Sequence, residues 1–125
     1  GYALALDMTR RDLQGEAKKM GRPWEIGKAF EHSAPVGPIH RVEEVGHLPQ
    51  GRMTFIVNGE LRQEGDLNQM IWKVPEMISY LSEYFELKPG DVILSGTPAG
   101  VNAVVPGDTM VLEVEGLGSM TVKVV

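Results

Sequence analysis

The sequence predicts an α+β, β-rich fold in one domain, and three observations carry that expectation. Asn58-Gly59 lies between two strand-length runs, residues 53–57 and 60–64, which is the strongest short signal for a two-residue type I′ hairpin. Pro89-Gly-Asp91 and Pro106-Gly-Asp108 are near-identical turns, each followed by an apolar segment. Helical spacing appears in only two stretches and does not alternate with strands, so an α+β arrangement or a β-roll is favoured over a doubly wound parallel sheet.

Each element follows in order. Residues 2–7 alternate, with Tyr2, Leu4 and Leu6 on one face and Ala3, Ala5 and Asp7 on the other, as in a strand that ends at Asp7. Thr9 and Asp12 fit a Thr-x-x-Asp helix start, and Leu13, Ala17 and Met20 form an apolar stripe, predicting a helix over about 9–20 that stops at Gly21 and Pro23. From Pro23 to Pro38 turn formers dominate, and a loop pinned by Trp24, Ile26 and Phe30 is expected. After the hairpin, Ile71, Val74, Ile78, Leu81 and Phe85 have helical spacing over about 68–86, with Pro75 opening or kinking that helix. Its aromatic and Met side chains read as core. Strands are expected at Val92–Ser95, Met110–Glu115 and, after a turn at Gly116-Leu-Gly118, Ser119–Val124.

Composition narrows the function. The chain has 125 residues, 42% of them apolar and 23% charged, which suits one globular domain. A net charge of -5 and a pI near 5.1 leave no basic stripe, so neither nucleic acid nor an anionic membrane is an expected partner, and a small molecule is. The absence of cysteine excludes disulfides, thiolate zinc sites and cysteine nucleophiles, and fits a reducing compartment such as the cytoplasm. No apolar run reaches the ~18 to 20 residues of a membrane-spanning helix. Gly1 opens directly into strand-like sequence, so the chain is expected to begin inside a larger domain.

Several residues invite a chemical reading beside a bland one. Asp7, at a strand end, is either a cap for the following helix or one oxygen ligand of a hard divalent cation. Arg11, Gln14 and Lys18 project from a common side of the first helix, as a solvated face or a polar binding row. Lys28 sits between apolar anchors where its ammonium can be aimed inward. Thr97, between Gly96 and Pro98, offers a hydroxyl and backbone amides on a rigid turn suited to a carboxylate or oxyanion, or is simply a turn threonine. Asp91 and Asp108 are explained by their turns, and Glu113 and Glu115 by a solvent-facing strand. His32, His40 and His47 lack helical zinc spacing. Ser95-Gly-Thr-Pro-Ala-Gly100 lacks the Gly-Lys-Ser/Thr ending of a phosphate loop, and no Gly-x-Ser-x-Gly marks a serine nucleophile.

The stretches Gly1-Tyr-Ala-Leu-Ala-Leu-Asp-Met-Thr-Arg-Arg-Asp-Leu-Gln14, Pro23-Trp-Glu-Ile-Gly-Lys-Ala-Phe30, Met70-Ile-Trp72 and Leu87-Lys-Pro-Gly-Asp-Val-Ile-Leu-Ser-Gly-Thr-Pro-Ala-Gly-Val101 together resemble the fumarylacetoacetate hydrolase family, in its short acylpyruvate hydrolase-like branch. The resemblance runs from Gly1 to Val125. It implies a mixed β-sandwich roll, truncated here on its N-terminal side, with residues 1–125 as the C-terminal part of a single catalytic domain and a homodimer in the full-length protein. It implies an Mg2+ (or Mn2+) ion held by two glutamates of a Glu-x-Glu strand and one aspartate, which Asp7 matches. Lys28 matches the active-site lysine, Arg11 and Gln14 match residues facing the substrate, and Thr97, with Gly96, matches the substrate-binding loop. The Glu-x-Glu strand and a lid carrying an acid/base His and Glu precede the aspartate in the family and have no counterpart at matching positions here. The implied activity is hydrolysis of a carbon-carbon bond in 2,4-dioxo acids such as acylpyruvate or fumarylpyruvate. Decarboxylation or isomerisation of a related oxo acid is the alternative, as is a noncatalytic role for a piece that lacks two metal ligands.

Overall fold

The structure is a computed structural model that describes residues 1–125. Its frame is a four-stranded antiparallel sheet of β1 (Arg52–Val57), β2 (Glu60–Asp66), β3 (Thr109–Val114) and β4 (Gly118–Lys123), in the order β2-β1-β3-β4. The hairpin forms as expected: Asn58 and Gly59 have φ of 52° and 83°, the left-handed pair that a type I′ turn requires. Asn58 also reaches outside its own turn. Its Nδ2 donates to Asp108 Oδ1 at 2.8 Å, and its Oδ1 accepts from the Thr109 N–H at 2.9 Å, clamping the hairpin to the start of β3.

Met53, Phe55 and Val57 pair with Val114, Leu112 and Met110, so these alternate residues share one face. Leu4 of the N-terminal segment is buried with Leu112 and Val114, surrounded by Leu6, Met53, Phe55, Leu67, Leu117 and Met120. The expected strand at residues 2–7 is reduced to isolated bridges, Tyr2 to His40 and Ala5 to Val36. Backbone bonds from Leu6 to Pro35 and from Met8 to Ser33 continue that irregular ribbon. Its partner strip contains Pro35 and Pro38, which have no N–H to complete a ladder.

Helix α1 (Arg11–Lys19) ends in a Schellman pattern at Gly21, with Gly21 N–H bonded to Lys18 O and Arg22 N–H to Ala17 O. Its start differs from expectation, because Arg10 is the N-cap and no side chain caps it. A one-turn helix α2 (Val42–Val45) precedes β1. The predicted helix over 68–86 divides into a 3-10 turn at Leu67–Gln69, closed by an Asp66/Gln69 capping box, and α3 (Val74–Ser82). Pro75 opens α3, since a residue without N–H fits only the first turn. The apolar residues of this region are exposed rather than core: Ile71 is 93% exposed, and Trp72, Ile78, Tyr84 and Phe85 are also open to solvent.

Val92–Ser95 is not a strand. No strand of the chain pairs with it, and Val92, Ile93 and Leu94 are exposed. Only nine of 125 residues are buried, and the accessible surface of 9021 Å² exceeds the about 6,600 Å² of a compact monomer of this mass. Exposed large apolar side chains lie in and around α3, at Ile71, Trp72, Ile78, Tyr80, Tyr84 and Phe85, and in the 92–105 segment.

Candidate active site

The ribbon of residues 1–8 delivers Asp7 to the surface beside the start of α1, and the loop after α1 returns to it. Gly27 makes that return possible. It is buried, and a Cβ there would lie 3.1 Å from Gln14 N and 3.2 Å from Arg10 O, so a side chain at this position would push the loop away from α1 by a few tenths of an ångström. Arg10 N–H donates to Gly27 O at 2.9 Å, and the Arg10 guanidinium lies 4.3 Å from the centroid of the Phe30 ring. The expected apolar pins act differently: Trp24 and Ile26 are exposed, and backbone packing at Gly27 with the Arg10–Phe30 contact holds the loop.

Fixed in this way, Lys28 points back at the ribbon. Its Nζ donates to Asp7 Oδ2 and to Thr9 Oγ1, each at 2.8 Å. Thr9, expected as a helix cap, is therefore the second acceptor of the lysine. An ammonium has three donors, so one remains for a further acceptor. The Lys28 and Asp7 side chains are 35% and 50% exposed, so the pair is open enough to meet a ligand.

Arg11 and Gln14 meet on α1, with Arg11 Nη1 donating to Gln14 Oε1 at 3.2 Å. That contact uses the amide oxygen and leaves the Gln14 NH₂ as a free donor. Asp7, Thr9 and Lys28 are joined directly, and Gln14 adjoins them through Gly27. Thr97 and Gly96 are not joined to this cluster by any hydrogen bond. Their loop lies on β2, where Gln63 Nε2 donates to Thr97 Oγ1 at 2.8 Å and to Pro98 O at 2.7 Å. Gly27 and Gln63 had no sequence signal of their own, and the signal at Thr9 pointed to a helix cap instead of Lys28, because each acts through partners distant along the chain.

As a seat for a hard cation, Asp7 contributes an anionic oxygen donor, which fits Mg2+ or Mn2+ as one ligand of about six. No group of three or more His, Asp or Glu gathers anywhere in the chain, so a cation at Asp7 would not find a full set of such ligands among these residues. Three of the other acids that the sequence singled out have structural partners. Asp91 Oδ2 accepts from Lys88 N at 2.8 Å, and Glu115 Oε2 accepts from Arg52 N at 3.1 Å. Asp108 is held below the usual carboxylate range, first by the Val105 N–H and then by the Asn58 side chain, with Arg62 assisting and burial opposing.

Comparison with known proteins converges on one family. The model of the fumarylacetoacetate (FAA) hydrolase C-terminal region matches residues 1–125. The chain is 47% identical over 124 residues to the human protein named oxaloacetate tautomerase FAHD1, mitochondrial, covering 99% of the chain and 56% of that protein. It is 44% identical over 124 residues to a fumarylpyruvate hydrolase of a Ralstonia species, covering 99% of the chain and 64% of the relative. Among solved structures, fumarylpyruvate hydrolase from Pseudomonas aeruginosa in complex with Mn2+ and pyruvate superposes with a TM-score of 0.97 at 54% identity, over 100% of this chain and 54% of that one. The chain thus spans little more than half the length of these proteins.

Proposed function

This chain belongs to the fumarylacetoacetate hydrolase family, and on that premise we propose that the whole protein is a divalent-metal hydrolase of 2,4-dioxo acids. These 125 residues form the C-terminal part of its catalytic domain. The observation that carries the reading is the joined cluster of Asp7, Thr9 and Lys28 beside Arg11 and Gln14, a carboxylate flanked by three donors for anionic oxygens. A related fumarylpyruvate hydrolase holding Mn2+ and pyruvate supports the substrate class and the metal.

When bound, the ion supplies Lewis-acid stabilisation of charge on the oxo-acid oxygens. Asp7 is the residue of this chain that would hold it. Lys28, anchored by Asp7 and Thr9, offers its remaining N–H to the negative charge that develops during reaction, and Arg11 balances the substrate carboxylate. Gln14 orients the substrate with its free NH₂, and Thr97 adds a hydroxyl from its loop on β2. Water adds to the distal carbonyl carbon, and the bond from that carbon to the central methylene breaks. The electron pair passes to the methylene carbon, which takes up a proton, so pyruvate and a second carboxylic acid leave.

A second reading is favoured by the 47% identity to a protein named oxaloacetate tautomerase. There the same donors hold charge while a proton moves at the methylene carbon and no carbon-carbon bond breaks. Full-length protein incubated with Mg2+ and either acetylpyruvate or oxaloacetate, with products assigned by NMR, separates the two. Release of pyruvate and acetate from acetylpyruvate is expected; catalysed keto-enol exchange of oxaloacetate alone selects the tautomerase, and inertness toward both rejects the whole proposal.

A further inference from the structure

The loop carrying Thr97 is seated by a defect in β2. Along β1, Phe55 faces Gln63 while Ile56 faces Leu61, so Arg62 is an extra residue in a β-bulge. Gly100, at φ +102°, lies against the Arg62 carbonyl so closely that a Cβ would overlap it. Gly65 leaves room for Pro98, since a Cβ there would come within 3.1 Å of the proline ring. Between these two close approaches stands Gln63, half-buried, with Nε2 bonded to both Thr97 Oγ1 and Pro98 O.

The pair of bonds fixes more than position. The Pro98 carbonyl can only accept, so the Gln63 NH₂ and not its oxygen faces the loop. An amide NH₂ only donates, so the Thr97 oxygen must accept from it. The Thr97 proton is thereby turned away from Gln63, and no other group of the chain accepts it.

We propose that Gln63 is a positioning residue that sets the hydrogen-bond polarity of Thr97, so that the exposed Thr97 hydroxyl meets an anionic oxo-acid oxygen as a donor. The inference rests on the oxo-acid reading above. Gln63→Glu inverts the polarity at nearly constant size, because a carboxylate takes the Thr97 proton for itself.

The test uses the full-length protein with Mn2+, and pyruvate as the probe in calorimetric titration. Gln63→Glu and Thr97→Val are each expected to weaken pyruvate about tenfold to a hundredfold, the cost of one donor to a charged acceptor. Added to Thr97→Val, Gln63→Glu should cost less than about threefold more, and Thr97→Ser should restore binding. Unchanged affinity in Gln63→Glu overturns the proposal. So does a tenfold loss that persists in the Thr97→Val background, which would mark repulsion by the added charge. If Gln63→Glu fails to fold, Gln63→Met asks the same question: a loss of about fivefold, absent beside Thr97→Val, supports the role, and wild-type affinity refutes it. If the wild type neither binds pyruvate nor turns over a dioxo acid, the oxo-acid reading has failed. Limited proteolysis of the 96–100 loop then still reports the lock, since Gln63 holds it through Thr97 Oγ1 and Pro98 O: Gln63→Met should speed cleavage there at least about tenfold, and unchanged cleavage overturns the role of Gln63.

Discussion

Lys28→Met in the full-length protein removes the ammonium while keeping an unbranched stem of similar volume. In the structure Nζ makes two bonds of 2.8 Å, to Asp7 and Thr9. Because the paired side chains are 35% and 50% exposed, solvent screens the ion pair, and its share of stability is about 0 to 1 kcal/mol. Unfolding should therefore shift by no more than about 4 °C. The catalytic effect is expected to be far larger. A fixed donor aimed at developing charge is worth about a hundredfold to a thousandfold in turnover, or about 2.7 to 4 kcal/mol. The two magnitudes separate the roles: steady-state kcat on acetylpyruvate and on oxaloacetate should collapse while the circular dichroism melt barely moves. A kcat within threefold of wild type would remove Lys28 from the chemistry. Loss of activity accompanied by a melt lowered by more than about 10 °C would make it a structural residue.

Other outcomes follow from local geometry. A Cβ at Gly15, inside α1, meets nothing within 4 Å, so Gly15→Ala should stabilise the protein by about 0.5 to 1 kcal/mol in denaturant melts; destabilisation would show that α1 is packed by something unseen. The lowered pKa of Asp108 means that its contribution is complete above the unfolded carboxylate value near ~4 and is lost as pH falls through the folded value. Wild type should therefore lose more stability than Asp108→Asn on acidification below about pH 4, and parallel acid limbs for the two would refute the clamp. The 125-residue chain alone, with Ile71, Trp72, Tyr84 and Phe85 exposed, should bind a hydrophobic fluorescent dye or self-associate; a dye-silent monomer would contradict the open α3 face.

What was legible in the sequence was local. Asn58-Gly59, the two Pro-Gly-Asp turns and the Gly21 stop of α1 each encode their geometry within a few residues, and each forms. What failed needed a partner. Val92–Ser95 has strand-like side chains but no ladder in this chain, and β propensity is packing and pairing rather than a property of the segment. The spacing of Thr9 and Asp12 suggested a cap, yet the Thr9 hydroxyl is claimed by Lys28 from nineteen residues away, a competitor invisible to local spacing. The proposed site shows the same split. Asp7, Arg11, Gln14, Lys28 and Thr97 were named from motif residues, whereas Gly27 and Gln63, which hold two of those residues in place, emerge only from close approaches across the fold.

Central to the proposed chemistry is Asp7 as a ligand of a divalent ion that serves an oxo-acid substrate. Mn2+ titration of the full-length protein, followed by electron paramagnetic resonance, measures this directly for wild type and Asp7→Asn. Loss of one carboxylate ligand should raise the Mn2+ Kd by more than about tenfold while the melt stays within a few degrees. An Asp7→Asn protein that binds Mn2+ as tightly as wild type would contradict the assignment.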